Sequence, residues 1–455
     1  MSKPLPTITL IGAGLVGSLL AVYLSQRGYT VRVFEKRPDM RKASISAGRS
    51  INLALANRGI RPLEAIGLMD VIRPIIIPML GRELHDEQGN LSFLPYGQRP
   101  HEVVYSVSRG ELNKTLMTAA EQRGNVTIEF SQAVEHIDYQ RKTLTLRDEQ
   151  SGQTRTDSFD ILIGADGGGS AVRRTLDQHL NKMSREEKLP HSYKELHIAD
   201  NGKGGFRMKR EALHIWPRDE YMLIALPNPD GSFTVTLFMP DEGEHSFSRY
   251  QDKPTVQQFF REKFPDALTL MPDAADQYLQ NPTGFLGTVY CDHWHLDDHT
   301  LLIGDAAHAI VPFHGQGMNC GFEDCFDLNA LLDQYQDDWS QVMPAFQRLR
   351  KPNGDAIAQM ALENYIEMRH SVNDPKFQLK KQVAFALENR IPNTFIPRYS
   401  MVMFHHIPYV EALRRGVVQA DVLDELCQSA TRLDEVNLEQ GVEWARARLS
   451  PVTIE

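Results

Sequence analysis

An apolar, β-branched run from Thr7 to Ile11 breaks at glycine and gives way to a proline-free stretch of helical period, Val16 to Gln26. A second apolar run, Val31 to Phe34, ends on Glu35. Strand, glycine turn, helix and buried strand in this order predict one βαβ unit. The change from buried run to glycine recurs twice. Phe159 to Arg174, "FDILIGADGGGSAVRR", leads from a predicted strand into a turn holding Asp166, and Leu301 to Gly304 leads into Asp305 and "GDAAHAIVPFHGQGMNCGFED". Three such strand ends, far apart in the chain, can converge on one edge of one sheet. One large ligand touched three times explains them better than three separate sites.

Between about 195 and 285 the period becomes two. In "YMLIALP" and "SFTVTLFMP" it puts Met222, Ile224 and Leu226 on one face and predicts a second, antiparallel sheet. From Trp339 onward the pattern is helical, with "GDAIAQMALENYIEMRH" and "KFQLKKQVAFALENR" as amphipathic runs. The two main domains therefore interleave in sequence.

The first turn is GxGxxG. Gly12 permits the tight turn, Gly14 lets backbone approach a pyrophosphate, and Gly17 packs helix on strand, with the helix N-terminus facing the anion. Glu35, 18 residues after Gly17, can accept hydrogen bonds from a ribose diol. The bare motif also suits a close helix crossing, but inside a βαβ unit it points to a dinucleotide without choosing between NAD and FAD.

Composition narrows the partners. The 455 residues suit two or three domains, and a net charge of -10 offers no basic field for nucleic acid or an anionic membrane. Four cysteines without CxxC spacing read as reduced thiols, and no signal core or apolar window of ~18 residues is present, so a soluble cytoplasmic enzyme is expected. His308 and His314 lie six apart, yet no carboxylate or cysteine completes a metal site at recognisable spacing. No metal is expected.

"LGRELHDEQGNLSFLPYG" reads as a hairpin turning between Glu87 and Asn90. A three-residue loop, Glu87 to Gly89, would pair Asp86 with Asn90 and set Arg82 diagonally beside Tyr96 on one face, whereas a two-residue loop separates them. Guanidinium and phenol together suit a carboxylate, and the alternative is an Arg in a surface ion pair. Asn364 falls on the same apolar helical stripe as Ile357, Met360, Ala361 and Met368, so its amide faces inward and needs a partner. That partner is either a backbone carbonyl or a ligand.

"GAGLVG", "GADGGGS" and "GDAAHAIVPFHGQGMN" together resemble the motifs of the flavoprotein aromatic hydroxylases. Within that group "GRSINLALANRG", "PFHGQGMNCGFED" and "ENYIEMR" are similar to the branch acting on L-kynurenine. The resemblance implies an α/β fold: a glutathione-reductase-like FAD-binding Rossmann domain (1–76, 106–180 and 286–338) interleaved with an antiparallel-sheet substrate domain (77–105 and 181–285). C-terminal helices (339–455) would close the substrate site.

It also implies that non-covalent FAD is held by Gly12, Gly14, Leu15, Val16, Gly17, Glu35, Lys36, Arg37, Arg109, Asp166 and Asp305 and by Gly315, Gln316, Gly317, Met318 and Asn319. The glycine-rich "HGQGMN" would let backbone amides approach the flavin pyrimidine edge. Arg82, Tyr96, Asn364 and Tyr399 would take the amino-acid end of the substrate. Leu213, Met222, Ile224, Leu226, Phe238, Phe313 and His314 would surround the ring. With NADPH as transient reductant and O2 as co-substrate, a C4a-hydroperoxyflavin would carry the chemistry, leaving no catalytic side chain to name. Other outcomes are a related hydroxylase of another aromatic acid and a non-catalytic flavin-binding redox module.

Overall fold

A computed structural model describes residues 5–42, 52–367 and 374–453. Met368 and the start of "GRSINLALANRG" lie outside the described residues.

Strand Ile8–Ile11 is buried at every position because it sits inside a parallel sheet with neighbours on both sides. Val31–Glu35 pairs on one side and Ile161–Gly164 on the other, both opposite Ile8 at their first residues. Thr300–Leu302 adds beyond Ile161–Gly164, Val126–Phe130 adds beyond Val31–Glu35, and an antiparallel His295–Leu296 completes six strands. The three glycine turns thus leave the carboxyl ends of three adjacent parallel strands, where open α/β sheets bind ligands. Helix Leu15–Gln26 follows the first turn. Gly17 is what lets it approach, since a Cβ there would lie 2.0 Å from the Gly12 carbonyl oxygen.

The second sheet has seven strands in the order Thr283–Tyr290, Arg185–Ile198, Phe233–Pro240, Tyr221–Pro227, Ala212–Arg218, Gly81–His85, Leu91–Pro95. It departs from the expected antiparallel sheet in three ways. Ala212–Arg218 runs parallel to Gly81–His85. Strand Thr283–Tyr290 belongs wholly to this sheet although it straddles residue 286. The alternating pattern also stops at Pro240, and helices Lys253–Lys263, Pro265–Leu270 and Ala274–Gln280 fill the segment read as strand. Asp252 caps the first of these by accepting from the Thr255 amide, and Val256, Phe259 and Phe260 form its buried stripe against Leu223, Val235 and Leu237. A three-stranded sheet of Asn52–Leu55, Val104–Ser108 and Ile76–Met79 stands beside the two large ones.

The C-terminal part is helical as expected: Trp339–Ile366, Pro375–Arg390, Arg398–Met403, Tyr409–Cys427 and Leu438–Arg448. Ile357, Met360, Met401 and Phe404 share one apolar cluster with Tyr96 and Leu226, which seats these helices over the second sheet. All four cysteines are buried and unpaired. Among the described residues, no helix is long and apolar enough to cross a membrane.

Candidate active site

A cavity of about 810 Å³ is lined by the carboxyl ends of the first sheet, the inner face of the second and the C-terminal helices. At one end Gly12, in a left-handed conformation at φ 101°, turns the chain where a side chain would meet the Ala165 carbonyl. Gly14, Leu15 and Val16 follow on the wall, and a Cβ on Gly14 would meet nothing within 4 Å. Helix Leu15–Gln26 has no side-chain cap, so its first amides are left for a ligand. Glu35 accepts from the Ala13 amide at 2.9 Å and from Arg37 Nε at 2.8 Å. Burial works to raise its pKa, but these donors outweigh burial and keep it below the ordinary carboxylate range. Lys36, Arg37 and Arg109 also line this end, Arg109 as the first residue of a helix capped by Ser108.

Asp166 and Asp305 lie along the same wall. Asp166 accepts from Ser170 Oγ at 2.5 Å and the Ala171 amide at 2.6 Å, which shapes the second glycine turn. Burial raises its pKa despite these bonds. Past the third turn, Gly315, Gly317 and Met318 line the cavity where helix Gly317–Gln334 begins, again without a side-chain cap.

Three residues expected at the cofactor do not reach the cavity. Gly17 is consumed by helix-on-strand packing. Asn319 is a buried latch: its amide donates to the carbonyls of Ala54 and Gly315, both at 2.8 Å, and its oxygen accepts from the Ala56 amide at 2.9 Å. Gln316 turns away to bond Met403 and Tyr409. The remaining set fits FAD. Two uncapped helix starts, an open glycine wall and a carboxylate at the far end match phosphates, a flat ring and a ribose diol in turn.

The other end is set by the hairpin. Arg82 pairs with Leu94, Asp86 bonds Asn90, and Gly89 takes φ 81°, so the loop is Glu87–Gly89 and Tyr96 falls diagonal to Arg82. Asp86 Oδ1 accepts from the amides of Gln88 and Asn90, which favours this loop. The Arg82 guanidinium lies 5.7 Å from the Tyr96 ring centroid and 5.1 Å from that of Tyr399, and those rings stack at 5.7 Å. Burial opposes its charge, but Tyr399, Tyr96 and Glu367 outweigh burial and raise its pKa. Its Nε has no hydrogen-bond partner among the described residues. His314 stacks on Tyr399, and burial together with Arg398, Arg82 and Arg58 pushes it down to about 3, so it is a neutral imidazole. Leu213, Met222, Ile224, Leu226, Phe238 and Phe313 form the apolar walls.

Asn364 is displaced from its expected role. It is buried, but it does not line the cavity, and its amide donates to the Phe313 carbonyl at 2.7 Å. The backbone partner wins because helix Trp339–Ile366 lies against the Pro312–His314 turn, where Phe313 stacks on Tyr365 at 3.8 Å. Other lining residues escaped the sequence reading. Met403 lies one turn from Tyr399 on the same helix, and Tyr193 is paired with Phe238 across the sheet, so both were visible as periodic neighbours. Lys381 is not a lining residue but sits beside this end of the cavity, next to Tyr96, and no periodicity points to it. It donates to the Pro95 carbonyl at 2.9 Å, and burial with the nearby Arg82 charge pulls its pKa down to about 8.

His308 and His314 do not meet. His308 bonds Asp324 at 2.6 Å with Cys320 beside it; Cys320 and Asp324 stand one turn apart on helix Gly317–Gln334, and it is the fold of the intervening chain that brings His308 to them and completes the trio. Arg350 Nε donates to the same carboxylate at 2.6 Å. Burial would raise Asp324, yet His308 and Arg350 hold it at about 2, and His308 is raised well above its ordinary range against its own burial. Imidazolium and guanidinium already supply the cationic charge that a metal would bring. A second trio, Asp177, Cys291 and His293, lies away from the cavity, with His293 Nε2 bonded to Asp177 at 2.7 Å.

Comparison with known proteins agrees with this geometry. Residues 6–359 match the FAD binding domain family. A kynurenine 3-monooxygenase of Myxococcus xanthus is 46% identical over 445 residues, covering 98% of this chain and 96% of that protein. One of Stenotrophomonas maltophilia is 44% identical over 431 residues, covering 95% and 94%. Among solved structures, tetrameric 2-methyl-3-hydroxypyridine-5-carboxylic acid oxygenase superposes with a TM-score of 0.66 at 20% identity over 85% of this chain and 98% of its own. Pseudomonas aeruginosa PqsL with 2-aminobenzoylacetate gives 0.64 at 20% identity over 80% and 97%. These two share the fold. The near full-length identity, laid over a domain match that takes in all three glycine turns, makes the chain a member of the kynurenine 3-monooxygenase family of FAD-binding proteins.

Proposed function

We propose that this protein hydroxylates L-kynurenine to 3-hydroxy-L-kynurenine, using FAD, NADPH and O2. The observation that carries the reading is Arg82, a buried guanidinium with an unsatisfied Nε at the end of the cavity away from Glu35, set beside two stacked phenols and surrounded by apolar walls. That combination suits a molecule with a carboxylate at one end and an aromatic ring at the other. Family membership supports kynurenine as that molecule.

When bound, FAD accepts electrons from NADPH and uses O2 to deliver one oxygen atom to the ring, the other leaving as water. The chain's own residues bind and orient. Gly12, Gly14 and the amides of Leu15 and Val16 would receive the pyrophosphate, Glu35 the adenosine ribose, and Asp305 the ribityl region. The amides of Gly317 and Met318, at an uncapped helix start, would face the flavin pyrimidine edge and favour negative charge there. Arg82 would grip the substrate carboxylate, with Tyr96 and Tyr399 as further donors. Leu213, Met222, Ile224 and Phe238 would hold the ring and exclude water, while Asn364 would act indirectly by fixing Phe313. No side chain serves as nucleophile. The protein works on small molecules in the cytoplasm, and its net charge of -10 supports the absence of a nucleic-acid or membrane partner.

The test is purified holoenzyme with NADPH in air, given L-kynurenine and simple aromatic acids side by side, with product mass and ring position determined. The expected result is substrate-stimulated NADPH oxidation and 3-hydroxykynurenine. Preference for another acid, or oxidation indifferent to substrate, would overturn the reading.

A further inference from the structure

Helix Arg398–Met403 spans six residues, so its carboxyl-terminal carbonyls have few partners of their own. Arg58 meets that end with a fully buried side chain. Its Nε donates to the Val402 carbonyl at 2.9 Å, and Nη2 donates to Met401 at 3.2 Å and to Ile407. The preceding residue adds a fourth bond, Asn57 Nδ2 donating to the Phe404 carbonyl at 2.8 Å.

The same guanidinium faces the cofactor motif. Nη1 pairs with Glu323 at 2.8 Å, on the helix whose first turn lines the cavity. Its Cζ lies 4.0 Å from the Tyr409 ring centroid, Tyr409 donates to Gln316 Oε1 at 2.8 Å, and Gln316 Nε2 reaches Met403 Sδ at 3.0 Å. Arg58 does not line the main cavity, whereas Tyr399 and Met403, one turn apart on the helix it caps, both do.

We propose that Arg58 is a positioning residue: by capping helix Arg398–Met403 while pairing with Glu323, it holds Tyr399 beside Arg82 in register with the "HGQGMN" turn. This rests on the reading that Arg82 and Tyr399 take the substrate's amino-acid end. A lysine would keep a charge for Glu323 but, as a point donor, could not serve two helix carbonyls, Ile407 and the carboxylate at once. In Arg58→Met, Glu323 keeps Arg350 as its partner at 2.9 Å, so the loss falls on the carbonyls of Met401, Val402 and Ile407 at the end of that helix.

The experiment uses Arg58→Met and Arg58→Lys holoenzymes. It measures FAD per protein, amide hydrogen exchange along the chain, KM for L-kynurenine against kcat, and hydroxylated product per NADPH. Both variants should keep wild-type FAD content and protected strands Ile8–Ile11 and Tyr221–Pro227, while exchange in residues 398–409 accelerates about tenfold or more. KM should rise about fivefold or more, and product per NADPH should fall further than NADPH oxidation itself. If Arg58→Met does not accumulate as folded protein, Arg58→Lys decides by the same readouts. Wild-type exchange in 398–409, or exchange that rises throughout with loss of FAD, overturns the proposal. The exchange result is independent of substrate identity, whereas failure of the wild-type enzyme to hydroxylate L-kynurenine would strike the functional reading alone.

Discussion

Replacing Arg82 with Met removes the guanidinium and leaves an unbranched apolar stem beside the stacked rings of Tyr96 and Tyr399. Two effects of opposite sign follow. In the substrate complex the variant loses a charge-assisted contact of about 1.5–3 kcal/mol, which converts to roughly a tenfold to hundredfold weaker affinity. In the free protein it relieves a buried Nε that has no partner among the described residues, a gain of order 1–3 kcal/mol. Against that gain stand cation–π contacts at 5.7 and 5.1 Å, each worth about 0.5–2 kcal/mol. The change in stability should therefore lie between a gain of about 2 kcal/mol and a loss of about 3 kcal/mol while affinity collapses. Titrating oxidised holoenzyme with L-kynurenine by flavin absorbance, alongside thermal unfolding and FAD content, reads each quantity separately. An analogue lacking the carboxylate should bind wild type and variant alike. Wild-type affinity for L-kynurenine in Arg82→Met, or a matching loss of FAD, would refute the reasoning.

Two glycines of the first turn should behave oppositely. Gly14→Ala, whose methyl meets nothing within 4 Å, should keep the apoprotein's melting temperature yet retain FAD poorly, whereas Gly17→Ala, 2.0 Å from the Gly12 oxygen, should lose about 2 kcal/mol or more of stability. Asn364→Ala strips the 2.7 Å bond from the Phe313 carbonyl and should cost about 1–3 kcal/mol by denaturant unfolding, with a smaller rise in KM than Arg82→Met. Asp324, held at about 2, contributes stability that is present above the ordinary carboxylate pKa near 4 and lost as pH falls from there toward 2. That limb should span about 2 kcal/mol, and Asp324→Asn should flatten it in unfolding curves taken across the same range.

The glycine turns, the first βαβ unit and the two-residue period of Tyr221–Pro227 were legible in the sequence because each is a local matter. A positive φ, a buried parallel strand and the alternation of side chains between two sheet faces all leave their mark within a few neighbouring residues. The stripe Val256, Phe259, Phe260 was equally local, but it was absorbed into a longer stretch read as strand. The hairpin was half legible. Its position shows in the sequence, but only the left-handed Gly89 and the two loop amides on Asp86 select between the two loop lengths.

What no local pattern contained was the choice of partner for each inward-facing polar group. Asn319, Gln316 and Asn364 stand in or beside segments expected at the site. Yet each is satisfied by a distant group: Asn319 by Ala54 and Ala56, Gln316 by Tyr409, and Asn364 by Phe313. A buried amide takes the nearest well-aligned acceptor, and which acceptor is nearest depends on how whole helices settle against one another. The same settling brings Tyr399 onto Arg82, Asp324 onto His308 and Arg58 onto the end of the Tyr399 helix. Periodicity states which face a residue presents, and only long-range packing decides what that face meets.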